Sequence, residues 1–205
     1  MFNDRNDAGK LLAKKLAKYR DKDAVVLALP RGGVVVGYEV AQALGLPLDI
    51  IVVCKIGHPN DPEYALGAVD EKRTFLCNEL ERVSVDKAWL AEEIERQRQK
   101  ASRRVAAYRG ERKAKEIKGK VAIIVDDGVA TGLTMRLAIA KVREQKPARV
   151  VIAVPVAAPD VARELRREAD EFITLAPPEE FTGAVGAHYR AFEQVEDKEV
   201  IRLLE

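Results

Sequence analysis

Residues Val121 to Val125 (VAIIV) are an unbroken apolar run rich in β-branched side chains. Without polar alternation, such a run suits a strand buried on both faces, which implies a parallel sheet with helices above and below. Two carboxylates, Asp126 and Asp127, follow where that strand would emerge. Next comes a short loop holding Gly128, Thr131, Gly132 and Thr134, and then Met135 to Arg143 reads as a helix. A Gly/Thr loop opening a helix offers backbone N–H groups, hydroxyls and a positive dipole end to an anion. Glycine lets the backbone come close. Carboxylates beside a phosphate would repel it unless they accept from sugar hydroxyls or sit near Mg²⁺. The stretch therefore reads as a site for a phosphorylated sugar. An ordinary strand-turn-helix with capping acids is the plainer alternative. A Walker A loop is excluded, because no Gly-Lys-Ser/Thr follows the glycines.

The same pattern recurs upstream. Residues 7–19 place Ala8, Leu11, Leu12, Leu16 and Tyr19 on one helical face. Asp23 to Pro30 reads as a buried strand, and Arg31-Gly32-Gly33 opens a helix through Val36, Val40, Ala41 and Leu44 that ends at Gly45 and Pro47. Leu48 to Cys54 reads as the next strand, and Tyr64 to Val69 and Thr74 to Cys77 as a hairpin turning at Asp70-Glu71-Lys72. Downstream, Ala148–Val154 and Glu171–Leu175 are strands, with helices at Asp160–Ala169 and Asp197–Leu204. Strands alternating with helices mean βαβ units.

The stretch VAIIVDDGVATGLT resembles the motif by which type I phosphoribosyltransferases bind 5-phosphoribosyl-1-pyrophosphate (PRPP). The resemblance covers most of residues 24–175. It implies an α/β, type I phosphoribosyltransferase fold: a twisted, mainly parallel sheet of about five strands with helices on both faces. A small C-terminal hood and an inserted long helix complete the expectation. Asp126 and Asp127 would hold the ribose hydroxyls, and Ala130, Thr131, Gly132, Leu133 and Thr134 the 5′-phosphate, with Gly128 also among the PRPP-binding residues. LPRGG, close to the arrangement in the xanthine-guanine enzymes, matches the pyrophosphate loop, giving Arg31, Gly32 and Gly33 that role and implying a cis peptide at Pro30–Arg31. Lys55 matches a lysine that lies near PRPP. With Asp126, Asp127 and Arg31 it makes up the expected catalytic set. Mg²⁺ would arrive with PRPP, with Asp126 and Asp127 the residues nearest to it.

The tail PPEEFTGAVGAHYRAF resembles that of hypoxanthine-guanine phosphoribosyltransferases, which makes Phe181 a stacking surface for the base, with Val185 and Gly186 beside it. The alternative for Phe181 is a core plug beside Leu175. Pro155 to Ala158 carries no lysine where the 6-oxopurine enzymes place one, which speaks against guanine or hypoxanthine as acceptor. His58 and His188 read as loop histidines.

Ser84 to Lys120 holds twelve Lys/Arg against six Asp/Glu, with Ser84 as a helix cap and a thin apolar stripe through Leu90, Ile94, Ala101, Val105 and Tyr108. It reads as a solvated helix packing one narrow face. It occupies the slot where the family carries a mobile catalytic loop, so Arg103, Arg104 and Arg109 stay open as residues closing over the ribose. A PRPP- or nucleotide-sensing regulator binding RNA through this helix is the alternative function, although stacking aromatics near it are lacking. A PRPP-making diphosphokinase would be longer and duplicated.

Composition adds bounds. A chain of 205 residues, 47% hydrophobic and 33% charged, fits one soluble domain spanning 1–205, with an insertion at about 84–118 and a hood at about 176–205. No apolar run of membrane length and no signal-peptide core occur, and Cys54 and Cys77 are too few for a disulfide framework, so a cytoplasmic location is expected. A net charge of +2 names no partner. The expected partners are PRPP and a nucleobase-like small molecule, with no membrane and no nucleic acid expected, and a homo-oligomer left open.

Overall fold

The computed structural model describes residues 1–72, 74–77 and 85–205, without the side chains of Pro62 and Glu63. The chain opens with α1 (Arg5–Lys15), capped by Asp4, and β1 (Ala24–Ala28). It continues through α2 (Gly32–Leu44), β2 (Leu48–Ile50), β3 (Val53–His58), β4 (Asp61–Asp70) and β5 (Phe75–Cys77). The long α3 (Lys87–Arg109) leads to β6 (Val121–Val125), α4 (Leu133–Glu144), β7 (Arg149–Val154) and α5 (Pro159–Glu168). β8 (Glu171–Thr174) and α6 (Asp197–Leu204) follow.

Five strands form one parallel sheet in the order β2-β1-β6-β7-β8. Alternate residues of each strand face opposite layers, as the two-residue strand period requires. Val25, Leu27, Ile124 and Ile152 pack with Met135 and Leu137 of α4 and Leu165 of α5. Val26, Ile123 and Val151 pack with Leu12 of α1, its C-cap Leu16, and Val36 and Val40 of α2. Both faces are thus sealed, and only the strand ends remain open for chemistry. No helix among the described residues is long and apolar enough to cross a membrane.

The expected single strand from Leu48 to Cys54 is two. The Ile51 N–H still reaches the Ala28 carbonyl (3.0 Å), and then the chain leaves the parallel sheet and starts an antiparallel one, β3-β4-β5. Residues 49–54 stay buried through the change, so the apolar pattern carried no mark of it. At the hairpin turn Asp70 accepts from the N–H groups of Lys72 and Thr74, both at 2.8 Å. Lys141 of α4 pairs with Asp70 (3.3 Å) and with Glu71, fastening the hairpin beside the helix that follows the acidic pair.

The long helix ends at Arg109, with Gly110 at φ 57° as its C-cap, short of the expected extent. Ser84, expected as its cap, lies outside the described residues. Asp86 caps instead, accepting from the Trp89 N–H at 2.8 Å. The helix is more than a solvated rod, for it packs on β3, β4 and α6. Tyr108, fully buried, donates to Asp197 of α6 at 2.6 Å. Burial and that bond push its hydroxyl up to about 12.

Edge strand β8 is tied down by charge. Glu171 accepts from Lys18 (2.5 Å) and Tyr19 (2.7 Å) and pairs with Arg149 (3.2 Å). Burial works against ionisation of Glu171, but those bonds overcome it and hold the carboxyl below its usual range. Its contribution to stability is therefore complete above the unfolded carboxyl pKa and lost as pH falls through the lowered native value. Glu171→Gln is expected to melt a few degrees below the parent at pH 7, with the gap closing in acid. A gap independent of pH in thermal melts would refute this.

Candidate active site

β6 delivers Asp126 and Asp127 at its carboxyl end, and β1 delivers the start of α2 next to them. The Pro30–Arg31 peptide bond is cis, as the resemblance implies. A Cβ on Gly33 would stand 2.8 Å from Asp126 Oδ1, and one on Gly32 would fall inside the Asp127 carboxylate. The two motifs read separately from the sequence thus meet, and only glycine permits it. Gly132, at φ 77°, is the N-cap of α4. A short parallel bridge between Val129 and Ala157 pins the loop before it.

Asp127 donates its N–H to Asp126 Oδ1 at 2.8 Å. Burial first, then the Asp127 charge, raise the Asp126 carboxyl well above its usual range. Asp127 itself is matched by a residue the sequence did not flag: Arg5 Nε lies 2.7 Å from its Oδ2. The Tyr189 hydroxyl donates to the Asp127 carbonyl at 2.6 Å. Burial, then the Asp127 charge, raise the tyrosine so far that it remains a donor. Arg5 and Tyr189 arrive together because the chain ends are paired: Phe2 N–H donates to His188 O (2.8 Å) and Arg190 N–H to Phe2 O (2.9 Å). No local signal could have announced Arg5, since its partner lies 122 residues away.

Beside the acids opens a cavity of about 650 Å³. Pro30, Lys55, Asp126 and Thr134 line one side; Trp89, Arg96, Lys100 and Arg104 of α3 line the other. Glu93, the one acid that α3 contributes to this wall, is buried and matched by Arg96 (2.6 Å) and Gln97 (2.8 Å). Lys100 and Arg104 of the basic helix therefore line the same cavity as Asp126. Arg109 points elsewhere, to Asp49 (3.0 Å). His58 also reaches this wall.

The remaining expected residues are spread out. The Arg31 guanidinium is not on the cavity wall but 3.7 Å from Asp197, leaving the loop's backbone nearest the acids. Val185 packs on Gly128, where an added Cβ would meet it at 2.5 Å, and Gly186 abuts Phe192. Phe181 is partly buried and belongs to neither the core nor the cavity wall; its ring stacks on His188, centroids 5.2 Å apart.

Among the described residues no cluster of three acids, histidines or cysteines could hold a metal unaided. A Mg²⁺ carried by PRPP needs only one or two carboxylates beside the substrate's own oxygens, since the ion keeps several waters. Asp126 and Asp127 meet that requirement, with one oxygen of Asp127 already bonded to Arg5.

Residues 3–190 match the family profile of the phosphoribosyl transferase domain. Two Mycobacterium tuberculosis proteins provisionally named phosphoribosyl transferases, one from strain CDC 1551 / Oshkosh and one from ATCC 25618 / H37Rv, are 41% identical over 207 residues. The match takes in 100% of this chain and 46% of theirs, so the chain spans about half the length of these curated relatives. The crystal structure of TT1426 from Thermus thermophilus is 44% identical, with a TM-score of 0.82, covering 99% of this chain and 97% of that one. The chain belongs to the phosphoribosyl transferase domain family, and its fold is the type I fold.

Proposed function

We propose that the protein transfers the 5-phosphoribosyl group of PRPP to a ring nitrogen of a nucleobase-like acceptor. The observation that carries this reading is the contact of the Gly32-Gly33 loop with Asp126 and Asp127 beside a cavity walled by cations. A sugar bearing two phosphorylated ends needs those three surfaces together.

In this reading Asp126 and Asp127 accept from the ribose hydroxyls, with Gly128 beside PRPP, and Ala130 to Thr134 cradle the 5′-phosphate at the start of α4. Amides of the Arg31-Gly32-Gly33 loop face the pyrophosphate, with Lys55 on the same side of the cavity and Lys100 and Arg104 opposite. The acceptor nitrogen attacks the anomeric carbon as the bond to pyrophosphate breaks, inverting the centre, and the acceptor's ring proton is lost. Cations and amides fixed around the departing oxygens meet the charge as it develops, at no reorganisation cost. Mg²⁺, held by PRPP with Asp126 and Asp127 nearest, would add charge neutralisation there. Phe181 would leave its stack on His188 to lie on the acceptor, with Val185 and Gly186 along its edge, in a hood built from residues 176–205 of a single domain. Nucleotide salvage in the cytoplasm is the matching role. α3 supports this reading over an RNA-binding regulator, because Lys100 and Arg104 line the same cavity as Asp126.

The test is PRPP consumption and pyrophosphate release across a panel of nucleobases. At least one base is expected to drive both in step. Tight PRPP binding with no turnover on any base would defeat the transferase reading and favour a sensor.

A further inference from the structure

We propose that Arg5 is a positioning residue for the ribose site, fixing the orientation of the Asp127 carboxyl and joining it to the C-terminal segment. This rests on the phosphoribosyl-transfer reading. Arg5 is held on three sides. Its Nε donates to Asp127 Oδ2 at 2.7 Å, and its Nη1 to the Glu193 carbonyl at 2.8 Å. The guanidinium also sits 3.8 Å from the centroid of the Phe192 ring. A cation so stacked and bonded has one orientation, and its carboxylate partner inherits it.

The location separates this pair from an ordinary ion pair. Arg5 and Asp127 side chains are 11% and 15% exposed, and a Cβ on Gly32 would lie 2.7 Å from Arg5 Nε. The guanidinium therefore touches the place where the acidic pair meets the glycine loop. Adjacent carboxylates repel, and a fixed cation on the second offsets that repulsion. With Oδ2 bonded, rotation of the Asp127 carboxylate is stopped and its other oxygen is left to accept. The Tyr189 bond fixes the main chain of the same residue. Both anchors of Asp127 come from the paired ends of the chain.

PRPP titration calorimetry and thermal melts on Arg5→Lys, Arg5→Met, Asp127→Asn and the Arg5→Met/Asp127→Asn double variant test this. Arg5→Met is expected to weaken PRPP binding about tenfold or more, the scale of one charge-assisted bond. Arg5→Lys keeps the charge without the fork and should fall between Arg5→Met and the parent. In the Asp127→Asn background, Arg5→Met should cost little further affinity while still lowering the melting temperature. An Arg5→Met protein that melts lower but binds PRPP like the parent overturns the proposal, as does an equal affinity loss in the Asp127→Asn background. A parent protein that does not bind PRPP defeats the transfer reading itself, and this proposal with it.

Discussion

Asp126→Asn is expected to lose most PRPP affinity, by about tenfold to a hundredfold, while the ligand-free protein melts at a higher temperature than the parent. Affinity falls because ribose hydroxyls lose a charged acceptor, worth about 1.5–3 kcal/mol per bond. Stability rises because the native state holds this carboxyl well above its usual range, through burial and the Asp127 charge. A raised native pKa means that ionisation at neutral pH opposes folding, and the amide removes that opposition. The stability gain should vanish below the unfolded carboxyl pKa, where both states are protonated. Calorimetry at neutral pH and melts from about pH 3 to 8 read both effects. Unchanged affinity would remove Asp126 from the ribose site, and an unchanged melting curve would contradict the electrostatic account.

Gly32→Ala should damage the protein through shape alone. The new methyl would overlap the Asp127 carboxylate and press on Arg5 Nε at 2.7 Å. Either the ion pair or the loop must move. Overpacking of this kind costs about 1–3 kcal/mol in stability, and PRPP affinity should fall at least as far as in Arg5→Met. Gly119→Ala is the contrast: its φ is 73° but nothing lies within 4 Å of the added methyl. Backbone strain there should cost about 1 kcal/mol, with PRPP binding intact. Equal PRPP affinities for Gly32→Ala and the parent would show that the glycine loop and the acids do not act as one site.

The parts of this molecule legible in its sequence are those written in consecutive residues. VAIIV, ARVVIAV and DAVVLALP announce strands buried on both faces because each lacks polar alternation. The acids and the Gly/Thr loop are contiguous with their strand, so their meeting place could be read before their geometry. What escaped has no local record. Ile51 and Val52 are as apolar as the residues around them, yet the chain changes sheets there. α3 reads as a surface helix because its stripe is thin; only the packing of Leu90 with β3 and β4 residues and of Tyr108 beneath α2 and α6 shows that it spans the strand ends. Arg5 lies ahead of the helix read at 7–19 and belongs to no motif, and its role is set by a residue 122 positions later.

The pairing of the two chain ends has a consequence for the order in which the protein is made. A chain leaving the ribosome can form β1, α2 and even the whole β6-loop-α4 unit while Asp127 still lacks its bonds to Arg5 and Tyr189. Glu193, which steadies Arg5, lies 188 residues after it. Closure over such a span costs little more than over a shorter one, because loop entropy grows only with the logarithm of length. The expense is in time rather than in stability. Residues 188 to 193 must clear the exit tunnel before the first turn of α1 can lock, so nascent chains carry the acidic pair without its anchors until that segment has emerged.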